Sequence, residues 1–483
     1  MNKKNLLFFL LLCCCCSHHL HAQQQAYFPD PDPQIRARID EWQDLKFGLL
    51  MHWGAYSQWG IVESWSICPE DLSWASGGRK KEYDQGYFDY LKKYESLPGT
   101  FNPKNFDPDR WADAAQKAGM RYVVFTTKHH DGFCMFDTKQ SNYKITDSSC
   151  AYGREDGRDV SAEIFKSFRK KGLWTGAYFS KPDWHSDYYW WKKFPPVDRH
   201  CNYSIEKYPE QWKKFKDFTY AQINELVSNY GQMDILWLDG GWVRPIDSLE
   251  LKNYLFEKYE GSRYARNPQS QDIQMGELVK MARLKQPKLI VVDRAVPGIY
   301  QNYLTPEQHI PEKGLPYPWE TCMTMAGSWS HVPGDQYKSS DELIEKLVDI
   351  LSKGGNLLLN IGPAADGSWD DTAYARLQDI GEWMKINQQA IYTTRPYQVF
   401  QEGENVRYCQ SKDGKKQFIY LFEFPEKPLV LKRMPFQVST KLHLMGDREN
   451  LKWTRTSEES IQIELPPHKK ELGKFVWVIE VNP

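Results

Sequence analysis

The fold this sequence predicts is α/β: a (β/α)8-like, TIM-type barrel followed by a C-terminal antiparallel β-sandwich. Three observations lead there. From about Trp42 to Tyr392, short apolar runs alternate with amphipathic stretches. The first of those runs is not followed by a glycine-rich phosphate turn. Beyond Tyr392 only short strand-like segments and turns remain.

The apolar runs are Phe47–His52, Tyr122–Lys128, Leu173–Ser180, Met233–Asp239, Leu289–Arg294 and Asn356–Ile361. Their brevity and their β-branched and aromatic content read as strands covered on both faces, which need no polar alternation. Helical patterns lie between them. Asp109–Ala118 precedes the second run and Asp159–Lys171 the third. Glu210–Asn229, with Tyr220, Ile223, Leu226 and Val227 along one side, precedes the fourth. Ser339 and Glu342 have capping-box spacing, and Gly354-Gly355 supplies a left-handed stop, so a helix is predicted up to Lys353. An open doubly wound sheet would carry its phosphate turn after the first strand. Here that strand ends in His52-Trp53-Gly54, which favours the barrel.

After Tyr392, strand-like segments at Val406–Gln410, Gln417–Phe422, Gln437–Leu444, Ser460–Leu465 and Lys474–Val481 are split by Lys-Asp-Gly, Gly-Asp and Pro-Pro turns. A sandwich starting near Pro396 divides the chain into a barrel over 23–395 and a second domain over 396–483.

Lys+Arg 62 nearly balance Asp+Glu 63, with no sustained basic stripe, so nothing marks a nucleic-acid partner. The 19 Trp, 28 Tyr and 23 Phe offer rings for stacking on sugars, although a core of this size also consumes aromatics. Lys3 and Lys4, the apolar run Leu6–Leu12 and the His21-Ala22 junction read as a signal peptide over 1–22, with export to the periplasm or the outside. Cleavage removes Cys13 to Cys16 and leaves Cys68, Cys134, Cys150, Cys201, Cys322 and Cys409. None forms a CxxC pair, which argues against a zinc framework, while an oxidising compartment would permit a disulfide or two. No later apolar run reaches the roughly 18 residues of a membrane helix.

Catalytic groups of barrel enzymes come from the C-terminal ends of the strands. The first run ends at His52, the second at His129-His130-Asp131, the third around Tyr178, the fourth at Asp239 and the fifth at Asp293-Arg294. One polar group at a strand end is ordinary; five in succession on apolar strands point to a site. Asp239 is the sharpest, with an apolar strand before it and Gly240-Gly241 leaving room after it. Glycoside hydrolysis needs two carboxyl groups, roughly 5–5.5 Å apart in retaining enzymes. Glu307, in Thr305-Pro-Glu307, and Glu320, in Pro318-Trp-Glu320, are the candidates for the second. The Lys128–Gly132 stretch admits two readings. One of its histidines joins His52 and Asp239 around a metal, or neutral imidazoles bond sugar hydroxyls.

With these residues assembled, the chain resembles glycoside hydrolase family 29, the α-L-fucosidases. The resemblance rests on FGLLMHWG at 47–54, KHHDGF at 128–133, GAYFS at 176–180, DILWLDG at 234–240 and DR at 293–294. GGNLLLNIGPAADG at 354–367 and IGEWMKINQQAIY at 380–392 complete the set. It implies a barrel plus β-sandwich, no metal or other cofactor, and two-step retaining hydrolysis of terminal α-linked L-fucose from an oligosaccharide or glycoconjugate. It places the nucleophile on Asp239 and sugar contacts on His52, His129, His130, Tyr178, Trp237 and Arg294. The family's Glu-Trp pair falls on Glu63 and Trp65, which here have Ser64 between them. The Glu307 context matches the family's acid/base segment better than that of Glu320, which remains the competing candidate. A metal-dependent barrel hydrolase using His52, His129 and Asp239, and a non-catalytic fucoside-binding protein, stand as alternatives. The loops Ser66–Pro98 and Arg244–Gln271 are expected to shape the subsites for the rest of the glycan.

Overall fold

The computed structural model describes residues 27–70, 79–252, 269–434, 436–458 and 460–482. The leader read at 1–22 lies outside the described residues, as do 71–78 and 253–268 of the two loops just named.

Among the described residues seven parallel strands form the barrel wall: β1 (Phe47–Met51), β2 (Tyr122–Lys128), β3 (Trp174–Ser180), β4 (Ile235–Asp239), β5 (Ile290–Asp293), β6 (Glu320–Thr324) and β7 (Asn356–Asn360). Their order is β5-β4-β3-β2-β1-β7-β6. Every residue of β1, β2, β5, β6 and β7 is buried, as strands are when helices cover the outside of a barrel.

The eighth stave is not a strand. The segment 300–308 lies between the two edge strands and bonds to both. Tyr300 accepts from the Asp293 amide at 2.9 Å and the Asn302 amide donates to Val291 at 3.0 Å. On the other side the Glu320 amide donates to Leu304 at 2.8 Å and the Gln308 amide to Cys322 at 2.9 Å. Pro306 has no amide proton to give, and Gln308 takes a φ of 53°, so the segment cannot hold a regular ladder. This irregular stave carries Glu307. The neighbouring β6 reads Glu-Thr-Cys-Met-Thr, with no apolar run to announce it.

The predicted helices appear at Pro108–Lys117, Val160–Lys170, Pro209–Asn229 and Ser340–Ser352. Asp107 and Asp159 cap the first two through the amides of Arg110 at 2.9 Å and Ala162 at 3.0 Å. Ser339 accepts from the Glu342 amide at 3.2 Å, while the Glu342 side chain turns to Lys346 at 3.5 Å, so only half of the capping box forms. Gly354 ends this helix with a φ of 90°.

The second domain packs a five-stranded antiparallel sheet, opened by Thr394–Glu402, against a three-stranded one. Val406, Ile419 and Ile479 of the larger sheet share a core with Leu431 and Ile463 of the smaller. The strands Leu429–Leu431 and Trp453–Arg455 escaped the sequence reading because three residues give no usable periodicity. The six cysteines among the described residues are all buried and free. Among the described residues no helix is long and apolar enough to cross a membrane.

Candidate active site

The C-terminal ends of the barrel strands surround a cavity of about 380 Å³. Its wall includes His52, Glu63, Trp65, His129, His130, Tyr178, Trp237, Asp239, Arg294 and Glu307. Ten side chains that the sequence scatters over some 250 residues thus converge on one space, and Glu320 is the predicted residue that does not join them.

Asp239 ends β4, and the turn after it explains the two glycines. Gly240 has a φ of 86° and packs so closely on the Pro182 ring that a side chain there would collide with it. A side chain on Gly241 would lie 2.9 Å from the Arg294 carbonyl oxygen. The strand end is pinned further by the Lys181 amide, which donates to the Asp239 carbonyl at 2.9 Å. Lys181 pairs through its ammonium with buried Asp293 and donates to the Val243 carbonyl at 2.9 Å. Asp293 is therefore a scaffold carboxylate.

The Asp239 carboxylate accepts from the Tyr178 hydroxyl at 2.7 Å and from Arg294 at 3.2 Å. Burial opposes its ionisation, but Arg294, His130, the Tyr178 hydroxyl and the Gly240 amide outweigh that. They hold its carboxyl well below the usual carboxylate range. The other arm of the same guanidinium pairs with Glu307. Asp239 sits deep, with 15% of its side chain exposed, while Glu307 stands at the rim with 43% exposed.

The three histidines are buried. The His52 Nδ1 contacts the Asn360 side-chain oxygen at 2.8 Å, and the His129 Nδ1 pairs with the Ser64 hydroxyl. His130 Nε2 lies 3.8 Å from Asp239, beyond hydrogen-bond distance. Burial pushes His52 down to about 4 and His130 to about 3, against the pull of Asp239, and pushes His129 down as well. All three are neutral imidazoles at neutral pH, suited to bonding hydroxyl groups. Among the described residues no three His, Cys, Asp or Glu side chains are arranged to hold a metal, so the His52, His129 and Asp239 set lacks the geometry of a ligand cluster.

Trp65 stands edge-on to His130 and Trp242, with ring centroids 5.2 and 5.8 Å away, and the Trp237 ring stacks on Tyr178 at 5.3 Å. Buried Glu63 accepts from the Ser330 amide at 2.9 Å, and burial raises its carboxyl to about 7. Glu320 opens β6 at the end of the strand away from the mouth. It accepts from the Tyr122 hydroxyl at 2.6 Å and the Trp237 indole at 3.4 Å and is fully enclosed. It belongs to the barrel interior, as its place at an N-terminal strand end dictates.

Trp242, Trp329 and Arg199 also line the cavity without having been singled out in the sequence. Trp242 was within reach, three residues beyond Asp239 in the same turn. Trp329 follows the polar strand β6, and Arg199 sits in an irregular stretch with no periodic signal. Arg199 is clamped by Glu70 at 2.6 and 3.1 Å and lies over the Trp65 ring at 4.8 Å.

The family model described as Alpha-L-fucosidase matches residues 14–389, and the one described as Alpha-L-fucosidase C-terminal domain matches 401–482. The human tissue alpha-L-fucosidase is 27% identical over 477 residues, covering 94% of this chain and 92% of that protein. The rat tissue enzyme is 29% identical over 460 residues, covering 91% and 88%. Among solved structures, alpha-L-fucosidase isoenzyme 1 from Paenibacillus thiaminolyticus superposes with a TM-score of 0.73 at 28% identity, over 93% of this chain and 99% of that one. Thermotoga maritima alpha-fucosidase in complex with a mechanism-based inhibitor gives 0.69 at 26%, over 94% and 100%. With barrel and sandwich each matched by a model of the same family, this chain belongs to the α-L-fucosidases, glycoside hydrolase family 29.

Proposed function

We propose that the pocket removes terminal α-linked L-fucose from oligosaccharides or glycoconjugates in two displacements, with net retention at the anomeric carbon. The observation that carries this reading is the single Arg294 guanidinium joined to both Asp239 and Glu307. The shared guanidinium holds the two carboxyls side by side at the mouth, as retaining hydrolysis requires of its pair, which stands roughly 5–5.5 Å apart.

The two environments divide the roles. Asp239, deep and ionised, attacks the anomeric carbon as Glu307 gives its proton to the departing glycosidic oxygen. Glu307 is the more exposed carboxylate, on the side where an aglycone leaves and water enters. Having given up its proton, Glu307 is a carboxylate when the fucosyl ester has formed on Asp239. That carboxylate takes a proton from water as the water attacks the anomeric carbon, releasing fucose and restoring Asp239. Neutral His52, His129 and His130 bond the sugar hydroxyls, and Trp65 and Trp237 offer apolar faces.

Proton NMR of an aryl α-L-fucoside during turnover tests the reading. The α-anomer of fucose is expected first, followed by mutarotation. Initial release of the β-anomer would overturn the retaining assignment, and no release at all would leave a binding protein.

A further inference from the structure

We propose that Ser64 is a positioning residue that fixes His129 as a hydrogen-bond donor to the sugar, while Asn360 fixes neighbouring His52 as an acceptor. The two histidines then read the ligand through opposite tautomers. The inference rests on the pocket being the fucose site, and it follows from counting protons along two short chains of hydrogen bonds.

The first chain begins at the Asp131 amide, which donates to the Ser64 oxygen at 3.0 Å. The Ser64 hydroxyl also meets His129 Nδ1 and is fully buried. Its own proton needs an acceptor, and among the described residues the bare Nδ1 of His129 is the one in reach. A proton on Nδ1 would leave the serine hydroxyl hydrogen unpaired in a dry site. Nδ1 therefore accepts, the ring proton sits on Nε2, and His129 offers an N–H to the pocket.

The second chain begins at the Trp329 carbonyl, which accepts from the Asn360 side-chain nitrogen at 2.7 Å. That contact fixes the orientation of the amide and turns its oxygen to His52 Nδ1, 2.8 Å away. A carbonyl oxygen only accepts, so Nδ1 carries the proton and the Nε2 of His52 is a bare acceptor. The rings stand 5.6 Å apart between centroids, and both line the cavity. Burial keeps both imidazoles neutral, which is the condition for distinct tautomers. A sugar hydroxyl both donates and accepts, so an acceptor beside a donor suits neighbouring hydroxyls on one face of a ring.

The test is a long-range proton–nitrogen NMR spectrum of the full-length protein labelled with 15N-histidine, at neutral pH, with His52→Asn and His129→Asn spectra for assignment. His129 is expected with its proton on Nε2 and His52 with its proton on Nδ1. Like tautomers in the two rings, or a proton on His129 Nδ1, would overturn the proposal. This wild-type measurement stands even if the serine variant does not fold. In Ser64→Ala the His129 signals should move to a tautomer mixture while those of His52 stay, and kcat/KM should fall roughly 10- to 100-fold. Across 2-, 3- and 4-deoxy-fucosides, the substrate lacking the hydroxyl bonded by His129 should lose less in Ser64→Ala than in wild type. Equal penalties throughout the series would mean that Ser64 acts only on folding. Opposite tautomers in a protein that releases no fucose would sink the functional reading and leave only the tautomer assignment standing. A fucosidase with like tautomers would do the reverse.

Discussion

The mouth and the interior of the barrel hold the same chemical group in opposite states. At the mouth, Asp239 and Glu307 share Arg294, and the Asp239 carboxyl is held well below the usual range in spite of its burial. Inside, Glu320 has neutral partners, the Tyr122 hydroxyl and the Trp237 indole, and burial raises its carboxyl to about 7. A cation within contact distance overrides desolvation; neutral donors only moderate it. The barrel thus keeps a charged carboxylate at its mouth and, in its interior, a carboxyl that holds its proton up to about pH 7. Trp237 touches both regions, with its ring on the pocket wall and its N–H on Glu320.

If the mouth is the reacting region, its variants must dominate the kinetics. Asp239→Ala should lower kcat by about 10⁴-fold or more while the melting temperature stays close to wild type. Single-turnover release from an aryl fucoside measures this, and a rate within tenfold of wild type would remove Asp239 from the chemistry. Glu307→Gln comes next, with a loss of about 10²- to 10⁴-fold on natural glycosides, whose alkoxide leaves poorly without a proton. Aryl fucosides with acidic phenols should suffer far less, because their leaving group needs little protonation. If Glu320→Gln showed this leaving-group pattern and Glu307→Gln did not, the assignment of the two carboxylates would be reversed.

Most of the mouth was legible in the sequence because strand ends are where an apolar run meets a polar residue. His52, His129, Asp239 and Arg294 all follow that rule. The rule fails where the wall is not a strand. Glu307 lies on an irregular stave broken by Pro306, and its pairing with Arg294 came from the fold alone. Strand β6 was hidden for the opposite reason: its residues are polar yet buried, since they bond inside the barrel. Glu320 consequently stood in the sequence as the competing acid/base candidate. Ser64 appeared as an interruption of a Glu-Trp pair, and only the contact with His129 gives the insertion a use. In the sandwich, the longer alternating segments were readable and the three-residue strands were not.

The smallest effect expected on rate is that of Glu320→Gln, and its signature is in stability. The folded protein holds the Glu320 proton up to about 7, whereas an unfolded chain releases it near about 4.3. A carboxyl raised in this way favours the fold most below the unfolded value. That contribution is lost as pH rises through about 7. Glutamine keeps the neutral form at every pH, so Glu320→Gln should gain on wild type between about pH 4 and pH 8, by up to about 3 kcal/mol. Glu63 is raised to about 7 in the same sense and is still present in the variant, so a pH slope remains in both proteins and only their difference reports on Glu320. Calorimetric melting of the two at both pH values measures it, with fucoside turnover expected to stay within a few-fold. A stability difference that does not change with pH would mean that Glu320 is already ionised inside the barrel. Tyr122 and Trp237 would then stabilise a buried charge, and the contrast with the arginine-bound mouth would lose its basis.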